Sequence, residues 1–160
     1  MPKTTSYYIA SGLENAPKVR ELKAILDAAG CEHTYDWTVH GSVQKEGAER
    51  IAAVAAAESR GVLEGLTIIV LLPGGRGTHT ELGMAIGQAE MFDYFAQNFM
   101  PMLGVMTSAK KEGRRIVVFS PDPEKDFGTG GTTCAFYHHP LVERFDDMDK
   151  MIASLLEENP

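Results

Sequence analysis

The run at residues 66–72, Leu-Thr-Ile-Ile-Val-Leu-Leu, is the feature that most restricts what this chain can fold into. A continuous, branched apolar run of this length is typical of a strand buried on both faces of a parallel sheet. Pro-Gly-Gly-Arg-Gly-Thr comes directly after it, and a helix is predicted at residues 80–88. A strand, a glycine-rich loop and a helix in that order predict one unit of an α/β fold.

The rest of the chain repeats this alternation of apolar strands and helices. Further strands are predicted at residues 6–10, 31–37, 115–119 and 134–137. Helices are predicted at 17–30, 46–59 and 148–156, where apolar residues recur at helical spacing. Right-handed crossovers then give a three-layer, doubly wound parallel sheet of about five strands. We expect a single α/β domain over residues 1–160.

Residues 89–113 interrupt that pattern and are predicted to be a helical insertion, split by Pro101. They are rich in Met and Phe, and a small monomer rarely leaves so many such side chains exposed. We therefore expect a homodimer or a larger even-numbered oligomer, with this segment at the contact. A lid over a pocket of the same chain is the alternative.

Composition limits the kinds of binding partner that we expect for this chain. The net charge of −7 over 160 residues disfavours nucleic acid polymers, which require a basic face. The longest apolar run is too short to span a bilayer and no signal segment is recognised, so we expect no membrane and a cytoplasmic location. The two cysteines are predicted to be free thiols. Adjacent His138 and His139 point in opposite directions in extended chain, so no metal site is predicted.

Ligands of doubly wound folds bind beyond the carboxyl ends of the strands, where loops 11–15, 36–42 and 73–80 should meet. In the third loop, the glycines allow the backbone to approach a ligand closely. A carboxylate in the first helical turn, Glu81, should be kept ionised by the helix dipole. The substrate contacts predicted from the three loops are Ser11, Gly12, Asp36, Trp37, Gly74, Gly75, Gly77, Thr78 and His79. In the second loop, Trp37 is expected to stack on a nucleobase and Asp36 to contact its polar edge, with a tryptophan buried in the core as the alternative.

Three segments carry a resemblance to a known family. The first strand ends in Tyr8-Ile-Ala-Ser-Gly12, Glu58-Ser-Arg-Gly-Val62 precedes the central strand, and Gly77 is followed by Glu81-Leu-Gly83. Together they resemble the nucleoside 2-deoxyribosyltransferase family. The resemblance covers about residues 6–88 and the strand at 115–119.

The resemblance implies a role for each matching residue. Glu81 would be the nucleophile that attacks the anomeric carbon, and Glu58 would hydrogen-bond or protonate the base. Tyr8 would orient the nucleophile. A carboxylate near an oxocarbenium-like centre and a separate proton donor are what cleavage of an N-glycosidic bond requires. The ligand would be a small nucleoside or nucleotide, and no cofactor is implied.

Two alternatives remain open at this point. Gly75 stands where related transferases carry an acidic contact to the sugar, and Glu14 stands in the first loop where nucleotide-hydrolysing relatives have Arg. Both residues favour a nucleotide-sensing module that binds without turnover. Residues 73–81 also match the Pro-Gly-Gly-x-Gly-Thr-x-x-Glu signature of the cytokinin-activating phosphoribohydrolases, which is a more distant resemblance.

Overall fold

The computed structural model describes residues 4–100, 102, 114–131 and 133–157. Its strands are β1 (Ser6–Ser11), β2 (Glu32–His33), β3 (Thr67–Leu71), β4 (Arg115–Phe119) and β5 (Val142–Phe145). Its α-helices are α1 (Ala16–Ala28), α2 (Ala48–Glu64), α3 (Arg76–Asn98), α4 (Pro123–Asp126) and α5 (Met148–Leu156). Short 3₁₀ turns occupy Leu13–Asn15, Trp37–Val39 and Ala135–His138.

The five strands form one sheet in the order β2-β1-β3-β4-β5, and every neighbouring pair is parallel. All five residues of β3 and all five of β4 are buried, as the continuous apolar runs predict. The order reverses direction at β1, so that β1 and β3 flank the switch point of the sheet. The predicted three-layer α/β fold is confirmed.

Two consecutive tyrosines on β1 show how the layers are arranged. Side chains alternate along a strand, so Tyr7 and Tyr8 point to opposite faces of the sheet. The Tyr7 hydroxyl donates to Asp27 of α1 at 2.6 Å, whereas Tyr8 lies against Gly61 of α2 and donates to Glu81 of α3. Helix α1 therefore covers one face, and α2 and α3 cover the other. No helix among the described residues is long and apolar enough to cross a membrane.

Two predicted strands are wrong in extent or place. The strand predicted at 31–37 shrinks to Glu32–His33, because Asp36 caps the 3₁₀ turn that comes after it. Residues 134–137 are not a strand: most of this segment lies in the turn Ala135–His138, where Tyr137 is buried against Phe127. The fifth strand is Val142–Phe145, which lies at the sheet edge and is only partly buried, so it lacks a continuous apolar run.

Helix α3 differs most from the expectation. It begins at Arg76 rather than residue 80 and continues without interruption to Asn98, so residues 89–98 extend this helix instead of beginning an insertion. Twenty-three residues make a helix about 34 Å long, whereas the five residues of β3 span about 17 Å. The second half of α3 therefore projects beyond the sheet. Residues 101 and 103–113, the rest of the predicted insertion, lie outside the described residues.

The contact between α2 and β1 gives a first test. A Cβ on Gly61 would lie 2.6 Å from Cβ of Tyr35 and 3.0 Å from Cδ2 of Tyr8. We expect Gly61→Ala to lower the free energy of unfolding by about 1–3 kcal/mol in urea titrations, because Tyr35 Cβ is fixed to the backbone. Gly87→Ala, also inside a helix but with no atom within 4 Å of the added Cβ, should raise it by up to about 1 kcal/mol. Equal effects would contradict this account.

Candidate functional site

The carboxyl ends of β1 and β3 are joined by a polar network. The Ser11 hydroxyl donates to the carbonyl of Leu71 at 2.7 Å, and the backbone N–H of Gly12 donates to the carbonyl of Pro73 at 3.4 Å. The amide of Asn15 donates to Ser11 Oγ and to the carbonyl of Pro73, each at 3.0 Å. The one hydroxyl proton of Ser11 is therefore used to join the two strand ends and is not available to a ligand. Asn15 was not predicted from the sequence.

The glycine-rich loop after β3 turns directly into α3. A Cβ on Gly74 would lie 2.5 Å from Cγ2 of Thr78, so this position requires the absence of a side chain. The N–H of Gly75 donates to the hydroxyl of Thr78 at 3.2 Å, and Thr78 is only 3% exposed. Thr78 therefore caps the helix and is not presented to solvent. A Cβ on Gly75 or on Gly77 would meet open space, so close packing does not require glycine there.

Glu81 lies in the second turn of α3, because the helix begins at Arg76. The expectation that the helix dipole keeps Glu81 ionised is therefore wrong, since that effect is confined to the first turn. Its Oε1 instead accepts a hydrogen bond of 2.5 Å from Oη of Tyr8, whose side chain is fully buried. Burial raises the pKa of Glu81 to about 7; the hydrogen bond from Tyr8 opposes that rise and the charge of Glu58 adds to it.

Glu58 of α2 completes the group. Burial raises its pKa, and the charge of His40 acts in the opposite direction. Burial also raises the pKa of Tyr8 far above its usual range, with further contributions from Glu81 and Glu58. The three residues predicted to be catalytic therefore lie within electrostatic reach of one another. Two carboxyls that act on each other electrostatically do not ionise independently, which suits a division into one base and one acid.

Both residues predicted as contacts from the second loop have structural partners. Trp37 is 4% exposed, and its indole N–H donates to the carbonyl of Ile9 at 2.7 Å. The expectation that Trp37 stacks on a nucleobase is therefore wrong, because its ring is part of the core. Asp36 Oδ1 accepts hydrogen bonds from the N–H and the hydroxyl of Thr38, at 3.0 and 2.6 Å. Asp36 thus stabilises the turn that seats Trp37.

His79 lies two residues before Glu81 and connects α3 to the segment before β5. Its Nδ1 lies 2.7 Å from the carbonyl of Gly75, and its Nε2 lies 2.7 Å from Oη of Tyr137. A carbonyl only accepts, so Nδ1 donates to Gly75, which leaves Nε2 to accept from the hydroxyl of Tyr137. Tyr137 is a neighbour of the site that was predicted only as part of a strand.

Tyr35 and His40 were also missed, although the sequence placed loop 36–42 at the crevice. Oη of Tyr35 lies 3.0 Å from Nε2 of His40, and the charge of Glu58 helps raise the pKa of Tyr35, after the larger effect of burial. Such residues have no periodic pattern in the sequence, because they lie in a turn between a two-residue strand and α2. The structure therefore adds one tyrosine and one histidine to the surroundings of Glu58.

Neither a metal cluster nor the nearest large groove explains this site. Within the described parts of the chain, no three His, Cys, Asp or Glu side chains are grouped as metal ligands would be. A groove of about 330 Å³ lies beside α2, lined by Thr34, Tyr35, three alanines of α2, Arg60, Gly61 and Glu64. Neither Glu81 nor Glu58 lines it. The carboxyl groups of Glu58 and Glu81 are therefore the candidate reactive groups of this site.

The hydrogen bond between Tyr8 and Glu81 gives a second test. Tyr8→Phe should raise the pKa of Glu81 above about 7, because the hydroxyl stabilises the carboxylate. The pKa is measured by carbon-13 NMR of the Glu81 carboxyl. Tyr7→Phe is the matched control, since Tyr7 faces Asp27 on the opposite side of the sheet and should leave the Glu81 titration unchanged.

The protonation of Glu81 also makes the free energy of unfolding depend on pH in a defined direction. The folded-state pKa of Glu81 lies above its ordinary value of 4.5, so its stabilising contribution is complete below pH 4.5 and is lost as the pH rises through about 7. Glu81→Gln should remove that part of the decline in unfolding free energy between pH 5 and 8. An unchanged pH dependence would contradict the burial of this carboxyl.

Comparisons of the chain with protein-family models, with curated proteins and with solved structures found no match. The resemblance to the nucleoside 2-deoxyribosyltransferase family therefore rests on the residues of this sequence. The chemistry that this site can support depends on the arrangement of Tyr8, Glu58 and Glu81.

Proposed function

We propose that this protein is an enzyme that cleaves or transfers the N-glycosidic bond of a nucleoside or a deoxynucleoside. One observation carries the proposal: Tyr8 of β1 donates a 2.5 Å hydrogen bond to Glu81 of α3, and the charge of a second carboxyl, Glu58, acts on Glu81. A carboxylate nucleophile and a second carboxyl as proton donor are the smallest set of groups needed for displacement at an anomeric carbon. The crevice is also where doubly wound folds bind their ligands.

The two carboxyls have separate tasks in this reaction. An ionised oxygen of Glu81 attacks C1′, and the bond from C1′ to the base nitrogen breaks with its electron pair leaving on the base. Glu58 gives its proton to that nitrogen. Water that loses a proton to Glu58, or a second base, then attacks C1′ and releases Glu81 as a carboxylate. Tyr8 orients Glu81 and favours its ionised form.

The proton affinity of Glu81 suits a nucleophile. With a pKa of about 7, a large fraction of Glu81 is ionised at neutral pH, and burial raises the pKa of Glu58 above its ordinary value as well. Because the carboxyls interact, a bell-shaped pH profile of base release would report the pair and not either residue alone.

The first loop bears on the choice between nucleosides and nucleotides. The carboxylate of exposed Glu14 folds back over Gly12, with oxygens 2.5 Å from where a Cβ of that glycine would lie. A 5′-phosphate near the end of β1 would be repelled by this charge. We therefore favour an uncharged nucleoside as substrate. The proposal requires no cofactor and retains a cytoplasmic location, in keeping with the free thiols of Cys31 and Cys134.

A nucleotide-sensing module is the second candidate. The space over Gly75 is open, and no acidic side chain stands there to hold a sugar hydroxyl. Such a module would bind ligand in the same crevice and release no base. A phosphoribohydrolase, suggested by residues 73–81, would instead prefer ribonucleoside monophosphates.

The test is a panel of deoxynucleosides, ribonucleosides and their 5′-monophosphates, monitored for released base. We expect release from nucleosides, and a loss on the order of a thousandfold or more in Glu81→Gln. Glu58→Gln should cost on the order of a hundredfold, as the loss of a general acid does. Glu64→Gln, at an exposed carboxylate of the same α2 helix, is the matched control and should keep full activity.

The outcomes separate the candidates. Wild-type turnover that persists in Glu81→Gln would overturn the assignment of the nucleophile. Binding without base release would favour the sensing module, and release from ribonucleoside monophosphates alone would favour the phosphoribohydrolase.

The proposal includes a second copy of this chain as partner. Four side chains on the projecting half of α3 and one directly after it are each 44–62% exposed: Met91, Phe92, Tyr94, Phe95 and Phe99. Half-exposed side chains of this size present about 500 Å² of largely apolar surface. That is near the upper limit for a monomer and a large share of the roughly 800 Å² that each partner contributes to a stable interface. Packing of this half of α3 against its counterpart would cover the surface symmetrically.

Replacing Phe95 and Phe99 together with Lys should dissociate this assembly. The two rings pack together with centroids 5.0 Å apart, and buried ammonium groups would oppose association. Light scattering gives the molar mass of wild type and variant. Ile25→Lys, at an exposed apolar position on α1, is the matched control and should not change it. A monodisperse wild-type monomer would contradict the assembly and favour an intrachain lid.

A further inference from the structure

Asn15 is fixed at the carboxyl ends of β1 and β3 by both protons of its side-chain amide. Its Nδ2 lies 3.0 Å from Oγ of Ser11 and 3.0 Å from the carbonyl oxygen of Pro73. The carbonyl can only accept, and the single proton of Ser11 is already donated to the carbonyl of Leu71 at 2.7 Å. Because both neighbours require a donor, the nitrogen end of the amide faces them and the oxygen end, Oδ1, does not.

Oδ1 of Asn15 is an acceptor that the protein leaves unused. Asn15 is the N-cap residue of α1, where an Asn oxygen commonly accepts from a backbone N–H of the first turn, but its side chain makes no such hydrogen bond. No other donor to Oδ1 is found among the described residues. Asn15 is only 8% exposed, yet Oδ1 is not among the unpaired side-chain atoms that are sealed from solvent in the described part of the chain. Solvent therefore reaches this oxygen.

The side chains of the first loop offer a ligand acceptors and no unused proton. Ser11 donates its proton to Leu71 and Asn15 uses both of its amide protons, while the carboxylate of Glu14 lies against Gly12. A ligand that displaces water from Oδ1 must replace the lost hydrogen bond with a donor of its own, because an acceptor buried without one is costly. A phosphate carries charge and acceptor oxygens, whereas a hydroxyl can donate. This side of the crevice therefore suits an uncharged hydroxyl.

We propose that Asn15 is a specificity-determining residue whose Oδ1 accepts a hydrogen bond from a sugar hydroxyl of the bound nucleoside. Asn15 joins the ends of β1 and β3, which flank the switch point of the sheet, where doubly wound folds bind their ligands. That the ligand is a nucleoside rests on the function proposed above. The orientation of the amide does not, because the hydrogen bonds to Ser11 and Pro73 determine it.

The test compares a ribonucleoside with its 2′-, 3′- and 5′-deoxy analogues, each of which lacks one hydroxyl. Dissociation constants are measured by calorimetry in Glu81→Gln, which blocks the proposed turnover. One analogue should bind about threefold to tenfold more weakly than the parent through loss of the hydrogen bond to Oδ1. Adding Asn15→Ala should reduce the ratio for that analogue to about one and leave the other two ratios unchanged. Ser11→Ala is the matched control: it disturbs the same network but keeps Oδ1, so all three ratios should persist.

NMR provides a second measurement that needs no substitution at Asn15 and therefore does not depend on the folding of Asn15→Ala. The side-chain amide signal of Asn15 should shift when the parent nucleoside binds and shift less with the analogue that lacks the recognised hydroxyl. A merely structural Asn15 would weaken all four ligands equally and leave every ratio unchanged, which overturns the inference even if base release depends on Glu81. Hydroxyl-dependent binding without base release by the wild type would instead remove the proposed function and leave the role of Asn15 intact. Failure of all four nucleosides to bind would overturn both proposals.

Discussion

The hydrogen bond from Tyr8 to Glu81 is the interaction on which the rest of this site depends. It joins residues 73 positions apart in the chain, and it exists only because β1, β3 and α3 are all correctly placed. Parallel pairing sets Tyr8 beside Ile68 of β3, and the tight turn at Gly74 brings α3 back over the sheet. Without that donor, a partly buried carboxyl would lose the contact that stabilises its charge, which is costly in a low-dielectric crevice.

The charges near this bond and at the end of β1 are negative. Burial raises the pKa of Glu81 and the charge of Glu58 adds to that rise, while the carboxylate of Glu14 lies over Gly12 at the end of β1. Such a potential disfavours anionic ligands and favours centres that become positive during reaction. An oxocarbenium-like transition state has that property, whereas transfer of a phosphoryl group does not. A negative potential at this site therefore agrees with the glycosidic chemistry proposed above.

The sequence predicts the structure best where strands are fully buried, and worst where turns determine the local backbone. Residues 66–72 and 115–119 predict two central strands, and Tyr8, Glu58 and Glu81 are expected together. Trp37 is misassigned, and the capping role of Asp36 is missed, because capping and core packing at a turn have no periodic signal. Edge strand β5 alternates polar and apolar residues weakly, so the more apolar segment around Tyr137 has the stronger strand pattern. His40 is missed because its partner Tyr35 is defined only by tertiary contact.

Adjacent tyrosines on β1 show why the two faces of the sheet differ in chemistry. Tyr7 donates to Asp27 at 2.6 Å and Tyr8 donates to Glu81 at 2.5 Å, so each carboxyl has the same kind of partner. Burial acts to raise the pKa of Asp27, but hydrogen bonds from Lys23 and Tyr7 outweigh it, so the pKa lies below its usual range. At Glu81 burial raises the pKa to about 7, and the neighbouring charge is that of Glu58, a second carboxyl that adds to the rise. A tyrosine alone therefore does not decide the protonation state of a carboxyl. On the α1 side a cation holds the pKa below its usual range, whereas on the α3 side deep burial beside an anion raises it.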